Sequence, residues 1–531
     1  MLKKLALLLA TAIMLGRPAI AQTGYDEIVE ILRLARQFKQ PLLSKREMDF
    51  SAAAVASRRA SIVVWQQQLK ALDPSKWPVA QQVDYLLVRA ELDQLDFEYR
   101  ILRPWSRDPG LYVDIARDVA FTSLPLTEHT RQPFADRLAV IPELLTTARS
   151  TLTEAAGELA KLALFNLEHD DGVGHEQPGR SKPPAGILGW YDDLLERVAK
   201  HEPSLVETTK QARAAVRDFH AWLKQNLPGM TAPAGIGREH YDWLLRRVHF
   251  EPFTIREVIS IGDREWNRSM AGLALERYRN RALPALEPAA SAEEYQRRVD
   301  QADRKVRQFI RDKKFLAIPD YIAEMDNNVP WMVRSGGRNF WEEVQFRDPL
   351  PDKIHAGIPG HRFDLRVHRE DKRPVRGVIE DGSRIEGWGF YLEEAMMNAG
   401  LLDDRPRTRE LFWIFMAARA VRNRAEAMMH ANQWTVDQAV DYMVRSVPYM
   451  DRNVARVDCE IYLRQPTYGQ NYQMGKVQID QLLAERSHDL GDRFDLGGFH
   501  DEFLKSGLIP VSLIRWEMTG RSDEIKQLVK E

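Results

Sequence analysis

The chain has 531 residues, more than one ordinary domain of roughly 150 residues, and 44% of them are apolar and 29% charged, with 30 glycines and 28 prolines. That profile is globular and excludes collagen-like, disordered and multi-span membrane classes. A formal charge of -2 provides no basic field for nucleic acid, so no nucleic-acid partner is expected.

The first predicted element is a targeting segment. Lys3 and Lys4 precede an apolar run from Leu5 to Leu15, and Ala19-Ile20-Ala21 supplies the small residues of a cleavage site. Residues 1–21 are therefore expected to be a signal peptide, with the mature chain starting near Gln22. The 11-residue run is too short to span a bilayer. No cysteine stands at the cleavage site, so neither a stable membrane span nor a lipid anchor is expected. Removal of Lys3, Lys4 and Arg17 leaves a mature charge of -5, suited to a soluble periplasmic or secreted protein. Cys459 is the only cysteine, which rules out an internal disulfide and a thiolate metal cluster.

Beyond this segment, apolar residues recur at three- and four-residue spacing over 26–40, 80–103, 137–168 and 189–225, predicting long helices. Thr254 with Glu257 forms a capping box ahead of Val258, Ile259 and Ile261, and Thr408 heads a run from Leu411 to Met429. Breaks fall at 170–185, 228–237 and 335–359, which are rich in glycine, proline and polar residues. Strand-like alternation is scarce, so the expected fold is mostly α with little sheet. A helical part over 22–228 would precede a helical part over 229–531 that carries the chemistry.

Two short runs carry that chemistry. One is His355-Ala356-Gly357-Ile358-Pro359-Gly360-His361; the other, beginning 25 residues after His361, is Glu386-Gly387-Trp388-Gly389-Phe390-Tyr391-Leu392-Glu393. Two imidazoles and a distant carboxylate make up the ligand set of a catalytic zinc site, with a fourth position left open. Residues six apart on a regular helix point about 120° away from one another, so His355 and His361 can share an ion only across a break. Pro359-Gly360 stands where that break is needed. Glu386 and Glu393, seven apart, fall on one helical face. His368, amid Arg366, Arg369 and Glu370, is expected to be solvated. His175-Glu176 sits in a polar break without a periodic helix and is not expected to bind metal. Trp388, Phe390, Tyr391, Met396 and Met397 are expected in the core. Arg334 and Arg338, around Ser335-Gly336-Gly337, could line an anion-accepting loop. Glu342 and Glu343 could be salt-bridge partners.

The two runs resemble those of the bacterial domain-of-unknown-function 885 family, whose pattern is His-Glu-x-x-Pro-Gly-His followed by Glu-Gly-Trp-x-x-Tyr-x-Glu. The likeness extends to Tyr241, Leu244, Thr254 and Gly262, to Arg422, Glu426, His430 and Trp434, and to Tyr462, Pro466, Tyr472 and Gly475. It implies a helical body around a deep channel, similar to zinc metallopeptidases of the thermolysin-like clan. Several positions depart from the pattern: Ala356 replaces the glutamate that serves such peptidases as general base, Arg362 stands where many relatives have a second histidine, Glu426 stands where an Asp is usual, and Thr467-Tyr468 stands where Gly-Gln is common. Loss of a general base costs on the order of 10²- to 10⁴-fold.

Three functional readings follow. In the first, His355, His361 and Glu386 hold one Zn2+ or another divalent transition metal per chain. Glu393, Glu426 or His430 then transfers protons, while Arg422, Tyr462 or Tyr472 holds an oxyanion or the carboxylate of a peptide or small-molecule substrate. In the second, the chain is a catalytically inactive relative that binds a peptide or small molecule in the inherited channel. In the third, it is a structural protein of the envelope.

Overall fold

The computed structural model describes residues 24–38, 50–170, 172, 183–322, 329–333 and 336–530. The expected signal segment, the His175-Glu176 pair and Arg334 lie outside the described residues. Among the described residues there is no strand; the β contact is an isolated parallel bridge from Ala156 to Ala232. The all-α expectation holds, and no described helix is long and apolar enough to cross a membrane.

Helices of three or four residues aside, the chain order begins with α1 (Gly24–Phe38), α2 (Ala52–Lys70), α3 (Val79–Phe97), α4 (Pro109–Ala120), α5 (Glu128–Thr151), α6 (Gly157–His169), α7 (Gly186–His201) and α8 (Val206–Asn226). It continues through α9 (Arg238–Arg247), α10 (Ile255–Arg279), α11 (Ala292–Lys313), α12 (Phe340–Gln345), α13 (His361–His368), α14 (Gly382–Asn398) and α15 (Pro406–His430). The last helices are α16 (Val436–Ser446), α17 (Arg452–Arg464), α18 (Tyr468–Leu490), α19 (Leu496–Lys505), α20 (Val511–Thr519) and α21 (Asp523–Leu528).

Periodicity located helices better than it bounded them. The stretch 80–103 is α3 followed by a π-turn, Glu98–Leu102, which ends at left-handed Arg103 before Pro104. The stretch 137–168 is two helices, because the N–H of Ala156 bonds the Arg107 carbonyl instead of continuing a helix. The stretch 189–225 breaks at Pro203, before which Glu202 leaves helical geometry. The capping box of Thr254 and Glu257 opens α10 as expected. Thr408 is not a cap: α15 begins at Pro406, and the Thr408 hydroxyl donates to Asp348 at 2.6 Å.

The helices of the first part do not share one core. α4 to α8 bury Tyr112, Phe134, Trp190, Phe219 and their neighbours in a cluster of their own. α1 to α3 instead contribute Ile28, Leu32, Val83 and Leu92 to the core built by α14, α18, α19 and α20. The α4–α8 cluster extends to Met230, and Leu159 and Leu162 of α6 pack instead with α15 to α17, so these helices too are joined to the C-terminal part.

Two helix crossings place the chemistry. α10 lies along α15, and α14 crosses α18 where Gly387 meets Gly475 backbone to backbone; a Cβ on Gly475 would approach the Ser383 carbonyl oxygen to 1.9 Å. Only paired glycines permit so close a crossing. It carries Glu386 of α14 to the tyrosines at the start of α18.

Candidate metal centre

His355 lies on a π-turn, Lys353–Gly357, and His361 is the first residue of α13. The Pro359-Gly360 break predicted between them folds the chain back on itself, since a Cβ on Gly360 would overlap the His355 carbonyl oxygen. The Trp388 indole N–H donates to the Pro359 carbonyl at 2.9 Å, tying this turn to α14. A buried Arg384–Asp364 pair, at 2.8 and 3.2 Å, ties α13 to the same helix.

The result is a convergence of three ligand atoms. His355 Nε2 is 3.1 Å from His361 Nε2, and Glu386 Oε2 is 3.0 Å from His361 Nε2 and 3.6 Å from His355 Nε2. Zinc–nitrogen bonds of about 2.0–2.1 Å in a tetrahedral site set ligand atoms roughly 3.3 Å apart. The three measured edges bracket that value, and Glu386 Oε2 is buried without a hydrogen-bond partner. The trio is therefore a fit to a single small divalent cation, and these residues form such a group among the described residues.

Surrounding side chains orient the trio. His355 Nδ1 lies 2.8 Å from Glu393 Oε1, which also meets Arg419 Nη2 from α15 at 2.9 Å. A carboxylate behind one ring nitrogen turns the other toward a metal. Tyr468 at the start of α18 donates its hydroxyl to Glu386 Oε1 at 2.8 Å, leaving Oε2 to face the imidazoles. The Tyr472 ring stacks on His355 at 6.1 Å between centroids. Burial alone would raise the Glu386 carboxyl, yet His361 and His355 hold it well below the usual carboxylate range. Burial and the Arg419 charge push His355 down, and Glu386 and Glu393 outweigh them, holding it above an ordinary imidazole.

Not every predicted site residue joins this group. Arg422 is buried, bonded to Asp458 at 2.9 Å, and lies over the Tyr472 ring at 4.5 Å and Tyr462 at 5.7 Å. These three form one wall near Glu386. Glu393 is fully buried between His355 and Arg419, a positioning contact and not an open proton carrier. His430 is elsewhere: it lies eleven residues beyond Arg419, about 16 Å along the α15 axis, and its Nε2 faces the Tyr462 carbonyl at 2.9 Å. Burial pushes that imidazole down to about 4. Glu426 accepts from the Tyr241 hydroxyl at 3.0 Å and the Gln470 N–H at 2.9 Å, capping α18, and burial pushes it up to about 8. Arg338 is exposed and bonds Glu343 at 3.0 Å, a surface pair outside the centre. His368 corrects the sequence reading: it is buried, not solvated, and burial lowers its pKa.

Tyr468 and Arg419 were not singled out as site residues. Arg419 sits on a helix buried on nearly every face, so periodicity gave it no mark; Tyr468 was visible only as a departure from a family pattern. A cavity of about 580 Å³ adjoins the centre, sharing Tyr468 and Ile385 in its lining but not the trio itself.

The fold and centre thus define an all-α protein in which buried His355 and Glu386 and half-buried His361 stand close enough to share one cation. The sequence pattern of the family described as bacterial proteins of unknown function, DUF885, matches residues 38–335 and 353–518, and the chain belongs to that family. Its structure is similar to that of "a putative lipoprotein of unknown function" from Shewanella oneidensis, with a TM-score of 0.69 and 16% identity over 94% of this chain and 98% of that one. It is equally similar to "the putative lipoprotein" from Colwellia psychrerythraea, with a TM-score of 0.70 and 16% identity over 94% and 99%. No curated protein matches the chain.

Proposed function

We propose that the protein is an exported metal-dependent enzyme with hydrolase-like chemistry, acting in the periplasm or the medium on a peptide or small molecule. The observation that carries this reading is the set of separations of 3.1, 3.0 and 3.6 Å among His355 Nε2, His361 Nε2 and Glu386 Oε2. A divalent transition metal, zinc first among them, would supply Lewis acidity there. The chain's own groups do the rest. Glu393 and Arg419 hold the His355 ring, Tyr468 restrains Glu386, and the Arg422–Tyr472 wall offers positive charge to an oxyanion or a substrate carboxylate.

Ala356, half-buried beside His355, can neither take nor give a proton. That residue favours a second reading, a relative that binds its ligand without turnover. Elemental analysis of the purified mature protein separates the cases. We expect about one metal equivalent per chain, lost in His355→Ala; a metal-free wild type overturns the enzyme reading. Metal with no turnover, together with a ligand that raises the melting temperature, selects the binding reading.

A further inference from the structure

Three groups unused by the metal centre meet in the lining of the 580 Å³ cavity. Thr467 Oγ1 is 2.9 Å from His249 Nε2, and His249 Nδ1 is 3.3 Å from Asp381 Oδ2. The second oxygen of Asp381 accepts the Arg384 N–H at 2.9 Å, which fixes the carboxylate's orientation. The residues come from three distant points: the turn after α9, the residue before α14 and the residue before α18. Hydroxyl, imidazole and carboxylate in this order are the parts of an activated nucleophile.

The backbone supplies an independent sign. Thr467 sits at φ 78°, ψ -2°, a left-handed conformation that glycine adopts freely and a β-branched residue rarely does. Strain of this kind persists where the surrounding structure imposes it, often at functional sites. What the strained residue adds is a hydroxyl facing His249. At rest that hydroxyl also contacts the Pro466 carbonyl, so a turn about its C–O bond directs the proton to the imidazole. Burial lowers the His249 pKa, but Asp381 and Glu251 outweigh it and leave the imidazole more basic than usual. Asn471 lines the same cavity; its Oδ1 is engaged by Ser383 and Gln470, and its Nδ2 packs against Gly382, where any side chain would collide with it.

We propose that Thr467 is a nucleophile toward carboxylic esters, with His249 as its base, Asp381 as the residue that positions the imidazole, and the adjoining cavity as the acyl pocket. Thr467 Oγ1 bonds to the ester carbonyl carbon as its proton passes to His249 Nε2. The bond to the alcohol oxygen breaks, and the departing alcohol takes that proton. Water, giving its proton to His249, then attacks the acyl-threonine and releases the carboxylic acid, restoring the hydroxyl. No metal or redox partner enters the sequence, so it stands or falls separately from the metal centre.

The test uses the full mature chain with a fluorophosphonate probe, located by peptide mass spectrometry, and with p-nitrophenyl butyrate turnover measured with and without EDTA. The expected result is label on Thr467 and EDTA-resistant hydrolysis. Thr467→Gly should abolish the label and lower hydrolysis at least 100-fold while the melting temperature stays level or rises, because glycine suits the conformation. Thr467→Ser should keep both activities. An unlabelled wild type, a label on another residue, or hydrolysis unchanged in Thr467→Gly overturns the proposal.

Discussion

Two buried carboxylates on neighbouring helices, Glu386 of α14 and Glu426 of α15, end in opposite states. Glu386 faces two imidazoles and is held well below the ordinary carboxylate range. Glu426 meets only neutral donors, the Tyr241 hydroxyl and backbone N–H groups at the start of α18, and burial pushes it up to about 8. Depth does not separate them, since both are buried. What differs is the charge of the partners: imidazoles that can carry charge stabilise the anion, whereas neutral donors offset only part of the desolvation cost. The candidate cation centre is built from the first kind of site, and the cap of α18 from the second.

The largest effect that could break this contrast is on metal content. Glu386→Gln should lower metal affinity by more than about 100-fold, whereas Glu426→Gln should retain the full equivalent; if both variants lose metal, the two sites are not distinct in the way described. Next in size is the base position. Ala356→Glu should raise peptide hydrolysis by on the order of 10²- to 10⁴-fold if only the proton carrier is missing, and unchanged turnover would mark the cavity as serving another substrate. Glu393→Gln should weaken metal binding by roughly 10- to 100-fold, as a chelator competition would show, because it neutralises the carboxylate behind His355 and leaves Arg419 uncompensated.

A separate set of effects lies in stability against pH. Glu426 has a folded pKa of about 8 against an ordinary value of 4.5, so the folded chain keeps a proton that the unfolded chain has released. Stability should therefore fall as pH rises from about 4.5 to 8, by on the order of 5 kcal/mol for this group, and urea melts of Glu426→Gln should lose that slope. His430 works in the other direction. Its folded pKa of about 4 lies below the ordinary 6.5, so stability should fall as pH drops from about 6.5 to 4, by on the order of 3 kcal/mol. A His430→Asn variant should show a shallower acid-side loss in the same melts.

Much of the centre was legible because its chemistry is local. His355, the Pro359-Gly360 break and His361 lie within seven residues, and steric demand at Gly360 follows from that short reach. Glu386 was legible by residue type and spacing. The role of Glu393 was not, because it depends on Arg419 arriving from another helix. His430 looked like a base in one dimension, yet the α15 axis carries it away from the trio and the Tyr462 carbonyl occupies its Nε2. His368 seemed solvated among charged neighbours, but the packing around α13 buries it.

By itself the amino-acid order determined that this chain is helical, roughly where its helices lie, and which three side chains could bind a cation, since periodicity and a proline–glycine break act over a few residues. Only the tertiary structure decided that the first three helices join the C-terminal core, that Tyr468 and Arg419 guard the trio, and that Thr467, His249 and Asp381 meet. Those outcomes depend on helix crossings such as Gly387 on Gly475, where contact between residues far apart in the chain sets the geometry.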